Sequence, residues 1–416
     1  MYMGRRVIFH IDVNSAFLSW EAVYRVRFLG ECLDLRTIPS AVGGDIAKRR
    51  GIILAKSIPA KKYKIQTGEP VVSALRKYPQ LVLVPPHYSL YEKCSNAFME
   101  ILKNYSDKVE QYSIDEAFMD MTEMELLFGK PVVAANTIKD EIYHNLGFTV
   151  NVGISDNKLL AKMASDFHKP NRVHTLFTEE IEQKMWHLPV RDLFFVGGAT
   201  EQKLHSIGIQ TIGELANADV TMLKAMFKKH GEILWNFANG RDVSEVEAEP
   251  PENKGYGNTT TIPFDVTDAQ TAKMVLLSLV ETIGRRLRKD NVSIEVVSVG
   301  IRYCDFHYES HQGTLQSPTN ITQEIYEMVC RLFDELWNGA CMPIRHLGVH
   351  TSRITHEAQS RQITLFDNKD YEKLEKLDRA IDSIRERFGA DAVQRASFLK
   401  QKQIDHMGGG IAKSMK

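Results

Sequence analysis

Phe9-His-Ile-Asp-Val-Asn-Ser-Ala-Phe17 and Tyr112-Ser-Ile-Asp-Glu-Ala-Phe118 decide how the first half of this chain is read. In the first stretch, residues 6–11 form an apolar run that reads as a buried strand ending in Asp12, and the Asn14-Ser15 pair opens a helical periodicity from Ser15 to Arg27. In the second, residues 108–112 and 117–121 read as strands flanking Ser113-Ile-Asp-Glu116. Both stretches put acidic side chains where an apolar strand meets a turn, at the edge of a sheet, so Asp12, Asp115 and Glu116 are placed to converge. Carboxylate oxygens are hard donors suited to Mg²⁺, and two such ions clamp the attacking and leaving oxygens of a phosphoryl transfer. With no cluster of cysteines or histidines nearby, magnesium is expected rather than zinc. Taken alone, the same residues also read as a helix cap and two turn acids, and both readings stand at this point.

Working outward, residues 81–84 read as a strand closed by Pro85-Pro86, 90–102 and 132–146 as helices, 149–154 as a strand, and 157–165 as a helix that stops before Lys169-Pro170. The first part of the chain is thus an α+β layer unit. Residues 179–240 carry only helical patterns broken by glycines, and the acidic stretch 245–254, with Pro250-Pro251, reads as a linker. From Gly255 the pattern restarts as a strand (256–262), a helix (269–288), strands (293–303 and 313–315), a helix (321–336) and a strand (345–352), the order β-α-β-β-α-β. After Arg353 the composition turns polar, with one amphipathic helix near 370–388 and a Gly-rich basic end, 408–416.

The totals exclude several classes. The chain has 416 residues, 43% hydrophobic and 25% charged, which suits a water-soluble protein of several domains. The first apolar run is too short for a membrane span or a signal-peptide core, so a cytoplasmic location and no membrane partner are expected. Five widely spaced cysteines without a C-x-x-C suggest neither disulfides nor zinc. A net charge of −1 is not that of a typical nucleic-acid binder, but positive charge is bunched at 48–50, 61–64, 224–229 and 285–289, each run being either a basic face or a solvated helix face.

The two quoted stretches resemble the catalytic motifs of Y-family translesion DNA polymerases. Ile58-Pro-Ala-Lys-Lys-Tyr-Lys-Ile-Gln-Thr-Gly-Glu-Pro70 looks like the family's fingers segment over the incoming nucleotide, and Val152-Gly-Ile-Ser-Asp-Asn-Lys-Leu-Leu-Ala-Lys162 through Lys169-Pro-Asn171 looks like the following palm segment. The resemblance implies an α+β right-hand polymerase: palm 1–20 and 80–178, fingers 21–79, helical thumb 179–244 with a helix-hairpin-helix, linker 245–254, little finger 255–355 and C-terminal tail 356–416. It implies that Asp12 and Asp115 bind two Mg²⁺ ions with Glu116 as the third catalytic carboxylate, and that Phe17 is a steric gate under the sugar. The implied triphosphate contacts are Lys61 and Lys169. Asn14 stands where an aspartate is frequent, as in UmuC-like members, and Ile58 and Lys61 stand where Tyr and Arg are common. Lys61 neutralises phosphate as a point charge without the fork of an arginine.

Further along, Leu193-Phe-Phe-Val-Gly-Gly-Ala-Thr-Glu-Gln-Lys-Leu-His-Ser-Ile-Gly208 resembles the thumb hairpin, with Phe195 in place of the first glycine and Gly197 and Gly198 as backbone contacts to a DNA phosphate. In the little finger Arg302 and Arg353 are the expected DNA contacts, sequence-independent and salt-sensitive. Gln362-Ile-Thr-Leu-Phe366 resembles the pentapeptide by which bacterial polymerases bind the sliding clamp, anchored by Gln362, Ile363, Leu365 and Phe366. The implied activity is error-prone, low-processivity extension of a primer by deoxynucleoside triphosphates on damaged template DNA, by a monomer tethered to the clamp. A DNA- and clamp-binding repair factor without activity, or a metal-dependent nuclease, would use some of the same residues.

Overall fold

The computed structural model describes residues 5–45, 51–249, 251–337, 339, 342–356, 370–398 and 404. The basic run 48–50, the pentapeptide 362–366 and the glycine-rich end lie outside them. Among the described residues no helix is long and apolar enough to cross a membrane. The chain divides into two compact units, one of residues 1–42, 54–67 and 77–250 and one of residues 43–53, 68–76 and 251–416.

The first unit is organised by the strand Ile8–Val13, buried at every position. It is the middle strand of five, in the order Val109–Gln111, Glu116–Asp120, Ile8–Val13, Val150–Ser155, Val173–Thr175, and runs antiparallel to both neighbours. Side chains alternate between the faces of a strand. Phe9, Ile11 and Val13 join Trp20, Tyr91, Phe98, Ile138 and Ile142 in one apolar core, supplied by the helices Ala16–Phe28, Tyr88–Lys103 and Pro131–Leu146. On the opposite face Ile8 meets Phe118 and Ala161, and His10 bonds Ser165. That face is covered by the helix Lys158–Asp166, capped by Asn157. The helix seats closely because the neighbouring strand offers Gly153, where a Cβ would lie 1.9 Å from the carbonyl oxygen of Ala161.

Two details differ from the sequence reading. Asp12 lies inside the strand, not beyond its end, because pairing on both sides carries the ladder on to Val13. Ser15 starts the helix with φ +48° and no side-chain cap; the side chain of Asn14 is engaged elsewhere, as described below. A small sheet of residues 53–56, 40–43 and 82–84 and the short helix Ile58–Lys61, capped by Ser57, follow the first helix in the chain. Beyond residue 180 the first unit is helical, with Gly198–Ser206, Ile212–Ala216, Val220–Phe227 and Lys229–Ala238 around Leu204, Ile212, Leu215, Leu223 and Leu234.

The second unit has the expected β-α-β-β-α-β order, with sheet order Tyr308–Thr319, Ser293–Tyr303, Ile344–Thr355, Gly257–Val266 and helices Ala269–Lys289 and Thr322–Leu336. The strand expected at 313–315 extends over Tyr308–Thr319. It is an edge strand, mostly exposed and polar, so it lacks the apolar alternation that marks a half-buried strand.

The amphipathic helix expected near 370–388 is present. The helix Tyr371–Phe388 is bound to this unit by two buried ion-pair groups. Arg288 contacts Asp378 at 3.1 Å and Asp382 at 2.6 Å, and Asp378 also accepts the backbone N–H of Thr322 at 2.8 Å. Glu281 contacts Arg385 at 3.2 Å and Arg395 at 2.5 Å. Phe398 and Ile404 are buried in the same apolar core. The run 285–289 is accordingly not a uniform basic face: Arg288 is internal, and Arg286 lies over the Tyr256 ring while donating to the Gly257 carbonyl.

Removing one partner of a buried pair leaves an uncompensated charge. Asp378→Ala is therefore expected to destabilise the second unit by about 3 kcal/mol, read as a lower urea midpoint in its unfolding transition; an unchanged midpoint would show that the helix is only loosely attached.

Candidate active site

The carboxylates come together through strand register. Asp12 and Glu116 are direct partners across the antiparallel pair, their Cα atoms within about 6 Å, and the carbonyl of Asp115 accepts the N–H of Val13 at 3.0 Å. Alternation puts Asp12 and Glu116 on the face covered by the helix Lys158–Asp166, and that helix and the turn after it supply cations. Lys169 reaches Asp12 Oδ2 at 2.5 Å and Asp166 Oδ1 at 2.8 Å. Lys162 reaches Glu116 Oε1 at 2.9 Å, with its ammonium also over the rings of Tyr112 and Phe194. Asp115 is held apart by its own turn, its Oδ1 accepting from Ser113 Oγ at 2.7 Å. Among the described residues no group of three or more His, Cys, Asp or Glu side chains is gathered as a metal cage. Asp12 and Glu116 are instead each paired with a lysine, and Asp115 with Ser113.

Burial governs the electrostatics. It raises the carboxyl of Asp12 to about 6, against the opposing pull of Lys169 and with a further push from Glu116. For Lys169 burial acts downward, and the attraction of Asp12 and Asp166 outweighs it, so the ammonium is held above its ordinary range. His10, fully buried, is held well below its ordinary range by burial and then by Lys162 and Lys169. Its 4.0 Å approach to Glu116 Oε2 is thus the approach of a neutral ring, not an ion pair. Ser165 Oγ donates to the Lys162 carbonyl and lies 2.8 Å from His10 Nδ1, which assigns the ring proton to Nδ1.

Phe17, five residues after Asp12, is half-buried. Its ring stacks on Tyr91 at 4.5 Å and 9° and meets Tyr88 edge-on. Lys61, exposed at the end of the helix Ile58–Lys61, makes no ion pair among the described residues. Gly197 caps the helix that starts at Gly198, and a Cβ at either position would meet nothing within 4 Å, so packing does not demand these glycines. Phe195, 55% exposed, sits at φ +72° between the rings of Phe194 and Phe237. Left-handed backbone is free for glycine and costs about 1 kcal/mol or more for a bulky residue. In the second unit Arg302 lies over the Tyr308 ring and Arg353 is exposed at φ +54°.

Sequence reasoning singled out neither Lys162 nor His10. The spacing of Lys158, Lys162 and Asp166 along one helix, four residues apart, was the available signal for a polar stripe facing the acids.

Comparison with known proteins gives a consistent result. The impB/mucB/samB family model matches residues 11–166, its C-terminal domain matches 253–365, and the thumb domain of DNA polymerase-iota matches 191–242. A DNA polymerase IV of Clostridium acetobutylicum is 45% identical over 96% of this chain and 99% of its own length. One from Acetivibrio thermocellus is 38% identical over 97% of this chain and all of its own length. Among solved structures a Y-family DNA polymerase chimera superposes with a TM-score of 0.71 at 22% identity, over 84% of this chain and 99% of that one.

An Asp whose folded-state carboxyl is raised costs stability once it must ionise. The unfolded chain loses this proton near pH 4 and the folded protein near pH 6, so stability falls with pH across that window and the cost is complete above it. Metal-free Asp12→Asn is expected to be more stable than the parent at pH 7.5, by about 1–3 kcal/mol, with the gain shrinking towards pH 4.5. Thermal melts at the two pH values test this, and a gain of equal size at both would contradict it.

Proposed function

The chain belongs to the Y family of DNA polymerases, and from that premise we propose how its residues share the work of template-directed DNA synthesis in lesion bypass. Polymerases of this kind generally use divalent metal ions. In our reading Asp12, Asp115 and Glu116 hold two Mg²⁺ ions, which supply charge neutralisation at the reacting phosphate. The donor chemistry fits: three carboxylates, two of them opposite each other in register and each already neutralised by an ammonium. That last feature is the observation that carries the proposal, because a site that draws a lysine onto each of two adjacent acids, one buried and one partly buried, is one whose charge balance calls for cations.

Lys169 and Lys61 are the triphosphate contacts in this reading. Lys169, half-buried between Asp12 and Asp166, exchanges the carboxylate of Asp12 for phosphate oxygen when the substrate enters. Lys61 adds a point charge from the fingers. Phe17 is the steric gate, its ring braced by Tyr91 so that it resists displacement by a 2′-hydroxyl. Primer-template DNA is held without reading sequence by Gly197 and Gly198 in the thumb and Arg302 and Arg353 in the little finger. Few phosphate contacts imply low processivity, and the anchors Gln362, Ile363, Leu365 and Phe366 compensate by tethering a monomeric enzyme to the sliding clamp in the cytoplasm, which raises local concentration.

The decisive experiment is primer extension with Mg²⁺ by the purified protein and by Glu116→Ala. Incorporation is expected to fall by about 10²–10³ or more while DNA affinity stays within a few-fold; a folded Glu116→Ala protein that still extends primers would remove the assignment. Phe17→Ala separates the gate from a packing role. As a gate, its loss raises the ratio of ribo- to deoxynucleotide kcat/KM at least about tenfold. As a core ring only, its loss lowers the melting temperature and both rates together.

A further inference from the structure

Lys169 is held against Asp12 by a loop with little apolar anchorage of its own, and the side chains that fix this loop are Asn14 and Asn151. Asn14, buried, has Oδ1 accepting from Thr149 Oγ1 at 3.0 Å and from the backbone N–H of Asn171 at 2.9 Å. Its Nδ2 donates to Asn151 Oδ1 at 3.2 Å. Asn151, with no exposed surface, donates through Nδ2 to the carbonyls of Ser165 at 2.9 Å and His168 at 2.7 Å, and accepts the Arg172 N–H at 3.3 Å. The two side chains thus hold the backbone at residues 168, 171 and 172, on both sides of Lys169, and tie it to the strand Val150–Ser155 and to the turn that follows the first strand.

The polarity of each atom is determined. Asn151 Nδ2 faces two carbonyl oxygens, which only accept, so its Oδ1 must face Asn14, and Asn14 must present a donor there. An aspartate at position 14 has none: it would set a carboxylate against the Asn151 oxygen in a buried place, at the cost of an unpaired acceptor. A side chain with one donor and two acceptor lone pairs is what the position requires, and asparagine meets it. Asn171 itself takes φ +57°, a left-handed conformation that asparagine tolerates better than most residues.

We propose that Asn14 and Asn151 are positioning residues for Lys169, setting nucleotide affinity through the loop 168–172 without touching nucleotide, metal or DNA. The proposal rests on the reading of Lys169 as a triphosphate contact. Asn14 in this chain is then neither a spare metal ligand nor a helix cap but the peg of the cationic loop, and an aspartate there weakens nucleotide use instead of improving it.

The test is a double-mutant cycle in single-nucleotide incorporation, with melting temperatures recorded for every protein. Asn14→Ala, and more mildly Thr149→Val, which removes only the Thr149 donor, are expected to raise the KM for deoxynucleotide by roughly tenfold and threefold, with kcat within about threefold. In a Lys169→Ala background, where KM is already high, neither is expected to raise it further, since both act through the same side chain. Asn14→Asp is expected to behave like Asn14→Ala. Equal KM increases in the presence and absence of Lys169, or losses confined to kcat and melting temperature, would overturn the positioning role while leaving Lys169 as a nucleotide contact. If Lys169→Ala leaves KM unchanged, the nucleotide role of Lys169 falls first and the positioning role falls with it.

Discussion

The first strand is buried on both faces, and most of this structure follows from that constraint. One face of Ile8–Val13 lies under aromatic and aliphatic side chains of three helices, and the other under a single helix, Lys158–Asp166. Period-2 alternation therefore forces a choice at every position, and His10 and Asp12 fall on the side of the single helix. A slip of one residue would turn the aspartate into the apolar core and bring Ile11 to the charged face. The acids owe their placement to register, and the register to the hydrophobic positions between them.

Putting carboxylates in that position creates a charge problem that the covering helix resolves. Lys162 and Lys169 project from the helix and its following turn onto Glu116 and Asp12, and Gly153 allows the helix to approach closely enough for them to reach. The same burial that raises the Asp12 carboxyl weakens solvent screening of the cation beside it, Lys169.

The elements next to the acids were legible in the sequence because apolar runs and helices with clear stop signals mark them, and their bounds shift by only a few residues, whereas the short strands Ser40–Gly43, Ile53–Lys56 and Val173–Thr175 and the helix Val71–Lys77 were not read. The two acidic segments could be found for the same reason. What remained hidden depends on partners far away in the chain. Nothing local shows that Asn14 bonds residues 149, 151 and 171, or that Lys162, within a segment quoted for its resemblance, lands on Glu116. The polar strand Tyr308–Thr319 carries no apolar signal because it is an edge. The helix after residue 370 looks solvated because its attachments are ion pairs: Asp378 and Arg385, polar by composition, are among its buried residues, and composition cannot distinguish a paired internal charge from a surface one.

The docking of that helix changes the mechanics of the segment before it. Residues 357–369 run from the end of the strand Ile344–Thr355 to a helix fastened to the same unit, so both of their ends are tied to one body. Thirteen residues span at most about 45 Å when extended. Any pull on the chain between residues 356 and 370 is therefore shared by the strand Ile344–Thr355 and the ion pairs of Arg288 and Glu281.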